Sequence, residues 1–143
     1  VIKKNHAEAA AYCEDLSWGG FDDWILPNID ELRSLIRGCP STEINGICSI
    51  THDCSYSTNN EDTCGACSGC TVMSGPGPTV DNGFFSGGCY SPADLPGTCN
   101  SWFWSSSLHS SSSAYYVSFT YGDVDGNSLF DESTKVRCVR SQP

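Results

Sequence analysis

Apolar and polar positions divide the chain into three stretches of different rhythm. Residues 1–38 follow helical spacing. Asn5 caps a first helix, Glu8 answers it three positions on, and Ala9, Tyr12, Cys13 and Leu16 share one face. Cys13 therefore points inward, and Gly19-Gly20 is the expected stop. Asn28 and Glu31 repeat the capping pair for a second helix. Its buried stripe is Ile29, Leu32, Leu35 and Ile36, and Gly38 ends it. Between the helices, Trp24 and Leu26 read as core anchors.

Residues 39–99 have no periodicity. Gly75-Pro76-Gly77-Pro78, Gly87-Gly88 and Pro96-Gly97 punctuate them into turns. A structureless stretch of about sixty residues needs staples in a compact domain, and this one holds Cys39, Cys48, Cys54, Cys64, Cys67, Cys70, Cys89 and Cys99. Residues 100–143 alternate as strands do. One strand is expected over Trp102–Ser106. A second places Tyr115, Val117, Phe119 and Tyr121 on the face opposite Tyr116, Ser118 and Thr120, leaving Tyr116 the more exposed. A third covers Lys135–Val139, where Val136 and Cys138 share an inward face. Seven serines in Ser105–Ser113 read as a flexible connection. The pattern predicts one α+β domain over residues 1–143, with two helices, a small antiparallel sheet and a long disulfide-stapled insertion over residues 39–99.

Composition sharpens this. The 143 residues contain ten cysteines, an even number, which points to five disulfides and an oxidising compartment. Net charge is −10, with 17 acidic and 7 basic residues. Such a surface repels polyphosphate, so nucleic acid is not an expected partner. No apolar run approaches the roughly 20 residues of a membrane span. The expected setting is extracellular or the cell surface.

Several motifs occur in the order of one known family: Ala11-Tyr12-Cys13, Gly19-Gly20-Phe21-x-Asp23-Trp24-x-Leu26-Pro27, Glu31-Leu32, Trp104-Ser105-Ser106, Ala114-x-x-Val117-x-Phe119 and Val136-Arg137-Cys138-Val139-Arg140. The chain resembles the Legionella collagen-like protein C-terminal domain family, a branch of the C-type lectin-like fold. The resemblance covers nearly everything outside the middle stretch. It implies two helices, a twisted antiparallel sheet, a long loop of variable function, and a Cys13–Cys138 bond. Two features depart from the family. Ile25 stands where an Arg is usual, and only Val1-Ile2-Lys3-Lys4 is left to supply a strand before the first helix. The chain therefore reads as the C-terminal part of a longer protein.

Candidate chemistry is sparse. Cys64-Gly-Ala-Cys67-Ser-Gly-Cys70 has the spacing of a zinc or iron–sulfur site, with Cys54 or His52 as a further ligand, and its CxxC pairs are also redox-like. Disulfide bonding is the expected outcome for all of them. Asp123-Val-Asp125-Gly-Asn127 resembles the start of a calcium loop, with Asp131 able to join, but Ser128 and Thr134 occupy the positions where Gly and Glu belong. The Glu-Pro-Asn and Gln-Pro-Asp signatures of calcium-dependent lectins are absent. No Gly-x-Ser-x-Gly elbow is present, and the chain is too short for the formylglycine-generating enzymes that share the broad fold. The reading is a non-enzymatic ligand-binding or adhesion module that needs no cofactor other than, at most, calcium. It would recognise a glycan or a protein on another surface, and the alternative is a structural subunit or cap of an extracellular fibre or homo-oligomer. A stapled loop loses little entropy on binding, so Asp81, Asn82, Tyr90, Asn100 and Trp102 are the expected contacts.

Overall fold

The computed structural model describes residues 4–54, 64, 66–81, 86–94 and 101–140, with backbone alone at 81. Helix α1 spans His6–Glu14, and both halves of its capping box form: the Asn5 side chain accepts from the Glu8 amide, and the Glu8 carboxylate from the Asn5 amide. The helix ends five residues before Gly19. Glu14 and Asp15 put two acids and no base at the negative end of its dipole, which favours an early stop. Gly19 and Gly20 instead form the tip of a separate turn, at φ 63° and 85°.

Strand β1, Trp24–Ile25, leads to α2, Ile29–Arg33, which has the same capping box through Asn28 and Glu31. The stripe continues past the helix in tighter turns, where Ile36 N–H donates to the Arg33 carbonyl, before Gly38 reverses the chain at φ 91°. Ile29, Leu32 and Ile36 are buried, with Leu35 partly so. Leu26 is core as expected. Trp24 is not: its indole lies half exposed, donating to the carbonyls of Trp18 and Phe21.

The main sheet is a three-stranded antiparallel meander, β4 (Trp102–Ser110), β5 (Ser113–Ser118) and β6 (Asp123–Ser128). The serine tract is thus strand rather than flexible link. The register slips between Trp104 and Leu108, bulging Ser105–Ser107 out of the ladder. Small hydroxyl side chains satisfy the polar groups this frees. Ser105 Oγ donates to the Tyr115 carbonyl, and Ser107 Oγ accepts from the Ile29 amide at the start of α2. A bulge that bonds to a helix terminus ties two elements together. Strand β6 also replaces the loop expected at Asp123–Asn127.

Two short pairs complete the fold. Strand β7, Val139–Arg140, is antiparallel to β1 and is all that forms of the expected Lys135–Val139 strand. Lys135 instead makes a single parallel bridge to Phe103. Hairpin β2–β3, Thr79–Asp81 with Ser86–Gly88, lies inside the middle stretch. Register sorts the sheet's two faces. Phe103, Tyr115, Val117 and Val124 pack against α2 and the cysteine-rich stretch, while Trp104 and Ala114 pack under α1 with Ala9, Cys13, Leu26 and Val136.

Cys13 is bonded to Cys138, as the resemblance implied. Three further bonds are nested, Cys39–Cys70 outside Cys48–Cys67 outside Cys54–Cys64, so the Cys64, Cys67 and Cys70 thiols are oxidised rather than gathered on a metal. Cys89 is also in a disulfide, while Cys99 lies outside the described residues. The glycines of the middle stretch are close-approach residues: a methyl on Gly87 would lie 1.8 Å from the Met73 carbonyl oxygen, and one on Gly75 2.1 Å from that of Cys89.

The polar chemistry of an arginine argues against burial, yet Arg33 is 1% exposed. Its Nε donates to the Thr42 carbonyl at 3.0 Å and Nη2 to that of Glu43 at 2.7 Å, while Nη1 bonds the Ile50 carbonyl. One guanidinium thus fixes the loop between Cys39 and Ile50 to the end of α2.

His6 carries a pH dependence. Its Nε2 donates to the Ser105 carbonyl at 2.8 Å, and its ring meets Trp104 edge-on. Burial lowers its pKa below the ordinary 6.5, against a smaller opposing effect of that hydrogen bond. Folding therefore favours the neutral ring. The stability this contributes is complete above pH 6.5 and is lost as pH falls through the lowered folded value. Thermal unfolding between about pH 8 and 5 should show the melting temperature falling with acid. The slope should be shallower in His6→Gln, which keeps an N–H donor but cannot titrate. Parallel profiles for the two proteins would remove His6 from the account.

Candidate binding surface

The structure separates the five expected contacts. Asn82 and Asn100 lie outside the described residues, and Asp81 is placed only by its backbone, opposite Ser86 in the β2–β3 hairpin. Tyr90 is a correction. It is 1% exposed, with its hydroxyl bonded to the Val72 carbonyl and to Ser74, so it braces the middle stretch from within. Of the two whose side chains are described, Trp102 is the one on the surface, 42% exposed at the start of β4.

Trp102 does not stand alone. Its ring lies on Tyr116 at 4.3 Å between centroids and 13° between planes. The stack buries Tyr116 to 7% exposure, against the expectation that it would be the exposed tyrosine of β5. Tyr116 pairs directly with Asp125 across β5–β6, and Ser118 pairs with both Trp102 and Asp123. Directly paired residues share a face, so two aromatic rings and two carboxylates crowd together. Burial, and then the negative fields of Asp125 and Asp123, push the Tyr116 hydroxyl up to about 12. At neutral pH the hydroxyl keeps its proton.

The cysteine-rich stretch borders this face. Cys67 and Val124 exchange backbone hydrogen bonds at 2.8 and 2.9 Å, and Asp123 accepts from the Gly69 amide. The three nested disulfides thereby fix the rim of the surface covalently.

The residues singled out for calcium are arranged differently from a cation loop. Asp123, Asp125 and Asn127 alternate along an extended strand instead of curling around a centre. The Asn127 amide donates to Thr134, and one Asp131 oxygen accepts from the amides and hydroxyls of both Ser133 and Thr134. Those bonds hold the Asp131 carboxyl below its ordinary range, the Ser133 hydroxyl first among them. Among the described residues, no three of His, Cys, Asp and Glu gather in a cation-binding group.

A second aromatic surface has no counterpart among the expected contacts. Trp18 is 68% exposed and Phe21 46%, on either side of the Gly19-Gly20 tip. The visible signal was there: two aromatics flanking Gly-Gly is the composition of a tight hairpin, not only of a helix stop.

Fold and surface together define a disulfide-stapled α+β module with one covalently framed, aromatic-acidic face. The chain belongs to the Lcl C-terminal domain family, whose model matches residues 2–140. That family points to an extracellular, adhesion-like module. The several disulfides are compatible with that setting, and among the described residues no helix is long and apolar enough to cross a membrane. No curated protein and no solved structure matches the chain.

Proposed function

We propose that the chain is a non-enzymatic recognition module, C-type lectin-like in scaffold. It binds a glycan or a protein displayed on another surface through the Trp102–Tyr116 end of the β4–β5–β6 sheet. The observation that carries this reading is the exposed Trp102, held flat against Tyr116 beside Asp123 and Asp125. Aromatic rings fixed before binding supply contact area at little entropic cost, and Trp and Tyr are over-represented among residues that dominate binding energy. The carboxylates would accept hydroxyl or amine protons from the ligand. Asp81, Asn82 and Asn100 remain proposed contacts.

Arrays of glycans and of extracellular proteins test this. A specific ligand should bind the unaltered protein and lose at least about tenfold in affinity to Trp102→Ala, the loss expected of a central aromatic contact, while the melting temperature stays close to that of the parent. Retention of full affinity by Trp102→Ala would move the site elsewhere.

The alternative, a structural subunit of an extracellular assembly, draws support from Ile47, Phe130 and Val72, which are 90%, 81% and 62% exposed. Sedimentation across a wide concentration range separates the two readings. Self-association abolished by Ile47→Ser or Phe130→Ser favours the assembly, and a monomer at every concentration rules it out.

A further inference from the structure

We propose a second ligand site, for an uncharged oligosaccharide, in the groove that runs from the side of α1 to the aromatic turn at Trp18–Phe21. Three adjoining hollows of about 400, 350 and 370 Å³ form it, each the size of a small-ligand site. Tyr12 and Leu16 line the first and second, and Trp18 lines the second and third. None of these residues belongs to the Trp102–Tyr116 face.

The turn is built to hold Trp18 outward. Trp18 and Phe21 exchange backbone hydrogen bonds at 2.9 and 3.1 Å across Gly19-Gly20, whose positive φ angles close the tip. The Trp24 indole N–H donates to both of their carbonyls, and its ring meets Trp18 edge-on at 5.9 Å. Arg140 lies 3.4 Å over the Phe21 ring while its guanidinium grips both oxygens of Asp23. A large indole is thus presented to solvent on a turn braced before binding.

The walls select the occupant. The α1 flank and the Trp18–Phe21 turn already bond their backbone groups internally and so offer an extended peptide little, while Trp24 and the Val136–Cys138 segment also line the second hollow. Hollows separated by aromatic walls instead match a chain of rigid rings, whose C–H faces lie on indole and phenol while hydroxyls reach the carboxylates. Glu8, Asp15 and Asp22 line the groove against Lys4 and Arg137, in a chain of net charge −10, which disfavours a sulfated or uronic polymer.

The test uses cellohexaose, mannohexaose, chitohexaose in its N-acetylated form, a heparin hexasaccharide and poly-lysine, read by saturation-transfer NMR. At least one neutral hexasaccharide should bind and shift the Trp18 indole N–H resonance of the unsubstituted protein. Trp18→Ala should weaken that binding at least tenfold. Phe130→Ala, an exposed apolar truncation outside the groove, should not. The proposal is overturned by absence of binding to every neutral hexasaccharide, or by binding confined to heparin or poly-lysine. It is equally overturned if the Trp18 resonance stays unmoved, or if Trp102→Ala weakens binding as much as Trp18→Ala. That last outcome would place the sugar on the sheet face and leave the reading of that face standing.

Discussion

Replacing both Cys13 and Cys138 by alanine is expected to lower the unfolding free energy by about 4–5 kcal/mol, the chain-entropy value for a loop of this size. The bond spans 125 residues of separation, so without it everything outside the stapled middle stretch is free to expand when unfolded. Its position adds to the effect. Cys13 is fully buried on α1, in the same core cluster as Trp104 and Val136, and Cys138 immediately precedes β7. Losing the bond would therefore also loosen the docking of β7 on β1. Urea unfolding under oxidising conditions is the measurement, and a loss of less than about 1 kcal/mol would show that packing alone holds the termini together.

Arg33→Met should be nearly as damaging, at about 3–5 kcal/mol, although it replaces a charge with an apolar side chain of similar reach in a buried place. The reason is what remains behind. The carbonyls of buried Thr42 and Ile50 and of half-buried Glu43 would lose their donor together. Arg33→Lys should recover only part of the loss, because an ammonium cannot reproduce the planar fork that serves three acceptors at once. Limited proteolysis should show the damage concentrated between Cys39 and Ile50. An Arg33→Met protein as stable as its parent would mean that the loop holds its shape through the disulfides alone.

The parts of this fold that were legible in the sequence are those set by local rules. Both capping boxes and both helical stripes could be read because three-residue and four-residue spacings are dictated by the helix itself. Arg33 shows where the reading failed: it sits four positions after Ile29 and three before Ile36, on the inward stripe, and its polar chemistry concealed what its spacing implied. The serine tract failed differently. A composition that suits a flexible link also suits a bulged strand, and only the distant partners Tyr115 and Ile29 decide between them. Tyr116 was read correctly as facing away from Tyr115, but alternation says nothing of what covers that face, and Trp102 does. The pairing of the middle cysteines was beyond any local rule.

The order of those bridges bears on how the protein matures. Cys54–Cys64 closes a separation of 10 residues, Cys48–Cys67 one of 19, and Cys39–Cys70 one of 31. Once the innermost exists, Cys48 and Cys67 lie only six and three residues from an established crosslink, and Cys39 and Cys70 stand nine and three residues from the next. Each bond thus shortens the search for its neighbour, since closure entropy grows with the free loop. Oxidation should advance from the inside outward like the teeth of a zip, and reduction should retreat from the outside in. The stretch would then tolerate loss of its outermost bridge far better than loss of its innermost during biosynthesis, whatever each contributes once the domain is complete.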